Sequence, residues 1–257
     1  MLSILFAVVG IMGAMPEEIS LLTQDLKNHQ EVQIGPRTYH TGTLYGTEAV
    51  VVYPCVGKVA SASVATTLIH RFHVDQLFFS GTAGAADSQL QVGDIVIADR
   101  LVQHDLDARP FFKQFEVPFL NESVFFTDPS LVEAAYQTAE SFLDNDMNGL
   151  IDAASIDAFS LYSPQVYIGG IASGDQFIAD PLKIQEICRL IPGTLCVEME
   201  GAAVAHVCFE NQIPFLIFRV ISDRADHSAP VDFLKFVRKI ANSYSKGLIQ
   251  GLIYQLN

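Results

Sequence analysis

Short runs of apolar, mostly β-branched or aromatic residues recur along the chain at Leu2–Ile11, Ala49–Tyr53, Gln76–Ser80, Asp94–Ala98, Val166–Ala172, Leu195–Met199 and Phe215–Ser222, each bounded by glycine, proline or polar residues. Near-continuous apolarity over so few residues predicts strands buried on both faces. Between several of them the apolar positions change to helical spacing, over Pro16–Leu26, Lys58–Phe72, Pro129–Leu143, Pro181–Leu190, Gly201–Asn211 and a long terminal stretch from Pro230 to about Tyr254. In the first of these, Pro16 suits the first helical position, Ile19, Leu22 and Leu26 share a face, and Glu17 and Glu18 fall in the first turn. Strands alternating with helices predict an α/β layered fold. No internal repeat, linker or charge run divides the chain, so its 257 residues read as a single domain, 1–257.

The formal net charge of −14 argues against nucleic acid as the main partner, because phosphate binding needs a basic face. A neutral or cationic small ligand fits better. No segment reaches the ~20 apolar residues that cross a bilayer. Leu2 to Met15 could pass for a signal-peptide core, but it lacks a basic leader and runs into Pro16-Glu17-Glu18, so it reads as a first strand. Cys55, Cys188, Cys196 and Cys208 show no CxxC spacing and read as small packing residues, which together with the missing signal points to the cytoplasm.

Active sites of open α/β sheets gather beyond the carboxyl ends of strands. Four such places stand out: Gly13 to Glu18, Gly81 to Ala85, Glu198 to Gly201, and Ser222-Asp223. A glutamate in a first helical turn, such as Glu18, is favoured by the macrodipole even without a function. On a strand, Glu198 and Glu200 would point to one face and Val197 and Met199 to the other, and Arg219 is a natural partner for a buried acid there. Asp223 emerges from an apolar run that should raise its pKa and suit it to general-acid work; a helix N-cap is its competing role, which Ser222 could fill instead. Gly81-Thr82-Ala83-Gly84 reads as a turn where backbone amides approach a ligand. Neither it nor Gly57-Lys58 matches a P-loop or a dinucleotide fingerprint.

Taken together, Gly13-Ala14-Met15-x-Glu17-Glu18, Gly81-Thr82-Ala83-Gly84, Val92-Gly93-Asp94-Ile95-Val96, Ser173-Gly174-Asp175-x-Phe177, Val197-Glu198-Met199-Glu200-Gly201 and Arg219-x-Ile221-Ser222-Asp223 resemble, in order and spacing, the bacterial methylthioadenosine / S-adenosylhomocysteine nucleosidases over nearly the whole chain. The resemblance implies a three-layer sandwich with a central twisted mixed β-sheet flanked by helices, a homodimer, a small nucleoside substrate, and neither cofactor nor metal. It implies that Glu18 activates the water, that Asp223, helped by Ser222, protonates N7 of adenine, and that Glu200 binds the ribose hydroxyls with Met199 beneath the sugar. Phe177 would stack on adenine and the backbone of Ile178 would bond its edge. Thr82 and Arg219 would support the water and acid network, and Phe233 would line the alkylthio side. Ala14, Met15, Val56, Ala83, Gly84 and Glu198 would complete the pocket, and a segment around Ala108 and Phe111 would reach into the partner's.

An N-ribosyl bond breaks through an oxocarbenium-like state, so an acid must neutralise the departing base while carboxylates favour the cationic sugar. The apolar run before Asp223 and the helix N-terminus at Glu18 should push their pKa values in opposite directions. Two other functions compete: a purine nucleoside phosphorylase, disfavoured because acids at Glu18, Glu198 and Glu200 would repel phosphate, and a non-catalytic nucleoside-binding protein. The chain departs from the family pattern at Pro16 and Thr82, where many relatives carry an acid and a serine, and in a long stretch, Ser141–Ser163. There Asp144-x-Asp146-x-Asn148-Gly149-x-Ile151-Asp152 imitates a calcium loop but has Ser155 where the bidentate acid belongs, so it reads as a calcium site or, the favoured alternative, a polar surface turn. His104-Asp105-x-Asp107 imitates a metal cluster but reads as a solvated loop.

Overall fold

A computed structural model of the chain describes residues 8–227 and 229–256, without the side chain of Val231. The elements run β1 (Val8–Gly13), α1 (Pro16–Asp25), β2 (Lys27–Ile34), β3 (Arg37–Leu44), β4 (Thr47–Val52), α2 (Lys58–Phe72), β5 (Gln76–Ala85), β6 (Ile95–Gln103), β7 (Phe125–Phe126), α3 (Pro129–Ser141), a π-helical turn (Phe142–Asp146), α4 (Met147–Leu150), α5 (Ala153–Phe159), β8 (Val166–Ser173), α6 (Pro181–Leu190), β9 (Thr194–Glu198), α7 (Gly201–Asn211), β10 (Phe215–Asp223), α8 (Ala229–Lys239) and α9 (Ala241–Leu256).

The strands form one mixed sheet in the order β10-β6-β8-β9-β5-β1-β4-β3-β2, with β7 on β6 and a further pairing of β10 with β5. That last pairing makes β5, β10, β6, β8 and β9 close on themselves. β5 can do this because it is long: Leu77–Ser80 pair with both β1 and β10, and Gly84–Ala85 pair with β9. The expected turn at Gly81–Gly84 is therefore strand.

Side-chain alternation sorts the core into two layers. Val9, Ile11, Val51, Phe78, Ile97, Leu216 and Phe218 point one way, into a cluster with Ile19 and Leu22 of α1, Phe236 of α8 and Leu248 and Leu252 of α9. Met12, Val50, Val52, Leu77, Phe79, Val96 and Ile217 point the other way, to Val64 and Leu68 of α2 and Ala205 and Cys208 of α7. Strands covered on both faces have no polar positions to spare, which is why their sequences are continuously apolar. Each large side chain so buried contributes about 1.5–3 kcal/mol.

Several expectations need correction. Of the proposed first strand, Leu2 to Ala7 lie outside the described residues, and the strand runs on to Gly13. The polar hairpin β2–β3 was not foreseen: β2 is an edge strand exposed along most of its length, so it lacks the apolar signal. The terminal helix is broken at Ile240, between α8 and α9. Phe236, Val237, Ile240, Ala241, Tyr244 and Leu248 are all buried, so helical periodicity runs unbroken through the joint and hides it. The Asp144–Asp152 segment is exposed at Asp144, Asp146, Asn148 and Asp152, as a polar surface segment should be, but through Leu150 it is helical rather than a turn or a calcium loop. Asp144 and Asp146 lie in the π-helical turn, which together with α4 buries Phe142, Met147 and Ile151. Asp152 caps α5, its two oxygens accepting from Ser155 N–H at 2.9 Å and Ser155 Oγ at 2.7 Å. Cys196 and Cys208 are buried as expected, whereas Cys55 is exposed.

Candidate active site

The carboxyl-terminal parts of β5, β9 and β10 and the segments after β1, β8 and β9 converge on a cavity of about 340 Å³ lined by Ala14, Met15, Val56, Thr82, Ala83, Gly84, Gln176, Phe177, Ile178, Val197, Glu198, Met199, Glu200, Ser222, Asp223 and Phe233. This is the size of a small-ligand pocket. Nearly all the sequence-predicted residues are brought together here. Glu18 and Arg219 lie behind the wall, while Ala108 and Phe111 lie outside the lining, Phe111 being 87% exposed. Gln176 and Val197 were missed: Gln176 is the unassigned position inside the Ser173–Phe177 motif, and Val197 had been given to the opposite strand face.

Glu18 is placed by the β1–α1 junction. Its Oε2 accepts from Met15 N–H at 2.8 Å, at the helix N-terminus, and its Oε1 from Thr82 Oγ1 at 3.3 Å. Gly13 makes this possible, since a Cβ there would lie 2.5 Å from Ile19 Cγ2. Glu18 is wholly buried, and burial pushes its carboxyl above the ordinary value in spite of the Met15 amide and the charge of Arg219. The expectation that the helix N-terminus would lower it is overturned: removal from water outweighs the dipole.

Asp223 ends β10. Its Oδ2 accepts from Ser222 Oγ at 2.8 Å and its Oδ1 from Ala225 N–H at 2.9 Å, and burial raises its carboxyl. Neither it nor Ser222 caps a helix, since α8 starts only at Ala229. Gly84 packs directly against this acid: a Cβ would come within 2.9 Å of Asp223 Oδ1.

Glu198 and Glu200 do not share a strand face, because β9 stops at Glu198 and Glu200 is the N-cap of α7. Glu198 Oε2 accepts from Arg219 Nη2 at 2.6 Å and Nε at 3.2 Å; its Oε1 accepts from Ser173 Oγ, and both oxygens accept from Gly201 N–H at 2.9 and 2.8 Å. Arg219, fully buried, also donates to the carbonyls of Phe79 and Phe218 at 3.1 and 3.0 Å, with its Cζ 4.2 Å from the Phe79 ring centre. Glu200 is held differently. Its Oε1 accepts from Gly57 N–H at 2.8 Å, and burial, then the neighbouring Glu198 charge, raises its carboxyl.

The remaining motif residues build the frame. Asp94 accepts from Gln91 and Gln165 N–H, both at 2.8 Å, and Asp175 from Lys58 N–H at 2.8 Å, fixing the start of α2 beside Glu200. Asp105 and Asp107 are exposed and pair with Lys58 and Arg109, each at 2.5 Å, whereas His104 is buried and not solvated as expected. Phe177 and Phe233, both in the lining, meet edge-on with ring centres 5.5 Å apart.

The family described as the phosphorylase superfamily matches residues 8–253. A 5′-methylthioadenosine/S-adenosylhomocysteine nucleosidase of Geobacillus thermodenitrificans is 37% identical, over 95% of each chain. The S. pneumoniae nucleosidase solved with the transition-state inhibitor MT-ImmA is 34% identical, with a TM-score of 0.83 over 97% of this chain and 100% of that one. A futalosine hydrolase of Helicobacter pylori is 30% identical, with a TM-score of 0.83 over 98% and 100%. The chain belongs to the phosphorylase superfamily and, within it, to the 5′-methylthioadenosine/S-adenosylhomocysteine nucleosidase family.

Proposed function

We propose that the protein hydrolyses the N-glycosidic bond of 5′-methylthioadenosine and S-adenosylhomocysteine, releasing adenine and the 5′-thioribose, and that it also accepts 5′-deoxyadenosine and aminodeoxyfutalosine, which share the adenine and ribose. The observation that carries the reading is three buried acids, Glu200 and Asp223 in the lining of one cavity and Glu18 behind it, bonded to the lining residue Thr82, with no cation in contact with their carboxyls among the described hydrogen bonds and ion pairs.

In this reading the raised carboxyl of Asp223 carries a proton and delivers it to N7 of adenine, so the base leaves neutral. Ser222 Oγ and Ala225 N–H fix the orientation of the acid. Glu18, once ionised, takes a proton from the attacking water; its upward shift makes it a stronger base than a free carboxylate. Thr82 Oγ1 holds Glu18 from the cavity side. Glu200, anchored by Gly57, binds the ribose hydroxyls, and once ionised its charge favours the cationic sugar. Phe177 stacks on the adenine, and Phe233 bounds the 5′ side.

A phosphorylase would need a cation facing its phosphate dianion. The described lining holds no Lys or Arg, and Arg219 is committed to Glu198. Adenine release from methylthioadenosine in phosphate-free buffer tests the distinction. Full release there is expected, and release only on adding phosphate would overturn hydrolysis. The pocket is completed in a homodimer by the segment around Ala108 and Phe111 of a second copy. The exposed Phe111 and Phe119 side chains, 87% and 88% accessible, support this. Sedimentation should give a dimer, and a monomer at assay concentration would remove this part of the proposal.

A further inference from the structure

The β2–β3 hairpin carries a side-chain cluster that nucleoside chemistry does not use. Glu31 and His40 are cross-strand partners, so both side chains leave the same face of the sheet. Between Lys27 and Gln30 the register slips: Lys27 faces Thr43 and Gln30 faces Thr41, so β2 spends one residue more than β3. Asn28 absorbs the extra residue at φ 54°. Beside this bulge stands Gly42, where a Cβ would lie only 2.5 Å from the Lys27 carbonyl oxygen. His29 reaches across to His40, and its Nε2 comes to 3.0 Å from His40 Nδ1. Glu31 Oε1 stands 3.7 Å from the same His40 Nδ1. One ligand atom of each residue lies within 4.8 Å of the others.

Ligands bound at about 2.0–2.1 Å around a tetrahedral ion sit about 3.3 Å apart. The observed 3.0 and 3.7 Å separations bracket that value. Two imidazole nitrogens and one carboxylate oxygen form a donor set for zinc, copper or nickel, whereas calcium and magnesium require oxygen ligands. We propose that His29, Glu31 and His40 form a binding site for one divalent transition-metal ion of the zinc class, with the remaining coordination position open to solvent. In the metal-free state one neutral imidazole donates to the other across the same gap, so the ligands are gathered beforehand. The site lies on the outer edge of the sheet, beyond β4, and draws on no residue of the nucleoside cavity. An ion there would tie the bulged edge strand to β3.

The test uses the full chain without a histidine tag, stripped with chelator and titrated with Zn²⁺ alone in a non-coordinating buffer. One equivalent per chain should bind, unaffected by excess Ca²⁺, and the affinity should drop by more than about 100-fold in His29→Ala and in His40→Ala. Co²⁺ in place of Zn²⁺ should give visible absorption of a tetrahedral ion, lost in the same variants and weakened in Glu31→Gln. Adenine release should be unchanged in all three. Absence of saturable Zn²⁺ binding, or equal binding by the wild type and both histidine variants, would overturn the proposal.

Discussion

Glu198 and Glu200 stand two residues apart, both nearly sealed from water beside one cavity, and the protein treats them oppositely. Glu198 faces the fixed cation of Arg219 and is also supplied by Ser173 and Gly201, so its charge is neutralised where it stands. Glu200 has a single amide from Gly57, and burial raises its carboxyl; Glu18 and Asp223, held by amides and hydroxyls, are raised as well. Residue type and burial do not separate these acids. Among these four, the presence of a contacting cation does: Glu198 has one, and Glu18, Glu200 and Asp223 have none among the described hydrogen bonds and ion pairs.

The division can be broken from either side. Asp223→Asn keeps the size and loses the proton, and should reduce kcat/KM for adenine release by about 10³–10⁴-fold with little change in melting temperature. Glu18→Gln should fall within the same range while still binding substrate; unchanged turnover in that variant would revive the non-catalytic binding reading. On the frame side, Arg219→Met leaves Glu198 buried without its cation and should cost about 3–5 kcal/mol in urea unfolding. Should Arg219→Met prove as stable as the wild type, the distinction between the two classes of acid would lose its basis.

Smaller effects sharpen the contrast. The folded-state pKa of Glu200 lies above its ordinary value of 4.5, so the folded protein holds that proton more tightly than the unfolded chain does. The resulting stability is fully present below the unfolded pKa and is lost as pH rises through the folded one. Glu200→Gln cannot ionise and should therefore lose less melting temperature than the wild type between pH 5 and pH 9, a difference that thermal scans across that range would show. Gly84→Ala should lower kcat more than it raises KM, because its Cβ would press on Asp223 Oδ1 from 2.9 Å.

Much of the fold was legible because its central strands are covered on both faces and leave a continuous apolar signature. What the sequence concealed has physical causes. β2 is exposed on an edge, the α8–α9 joint keeps its hydrophobic period through Ile240, and β5 continues through Gly81–Gly84, whose glycines read as a turn. In the site, the grouping of Ala14, Thr82, Phe177, Glu200 and Asp223 could be read from ordered motifs. The protonation tendency of Glu18 could not, because it depends on how completely the β1–α1 junction and Thr82 exclude water. Likewise the strand pattern placed Glu198 and Glu200 on one face, and only the end of β9 at Glu198 separates them.

The most direct test is the pH dependence of adenine release from methylthioadenosine, in phosphate-free buffer, for the wild type and Asp223→Asn. A bell-shaped profile is expected, with the acid limb reporting the ionisation of Glu18 and the alkaline limb the loss of the Asp223 proton; the variant should keep only residual activity without the alkaline limb. A wild-type rate flat from pH 5 to 9, or an alkaline limb surviving in Asp223→Asn, would contradict the assignment of Asp223 as the proton donor.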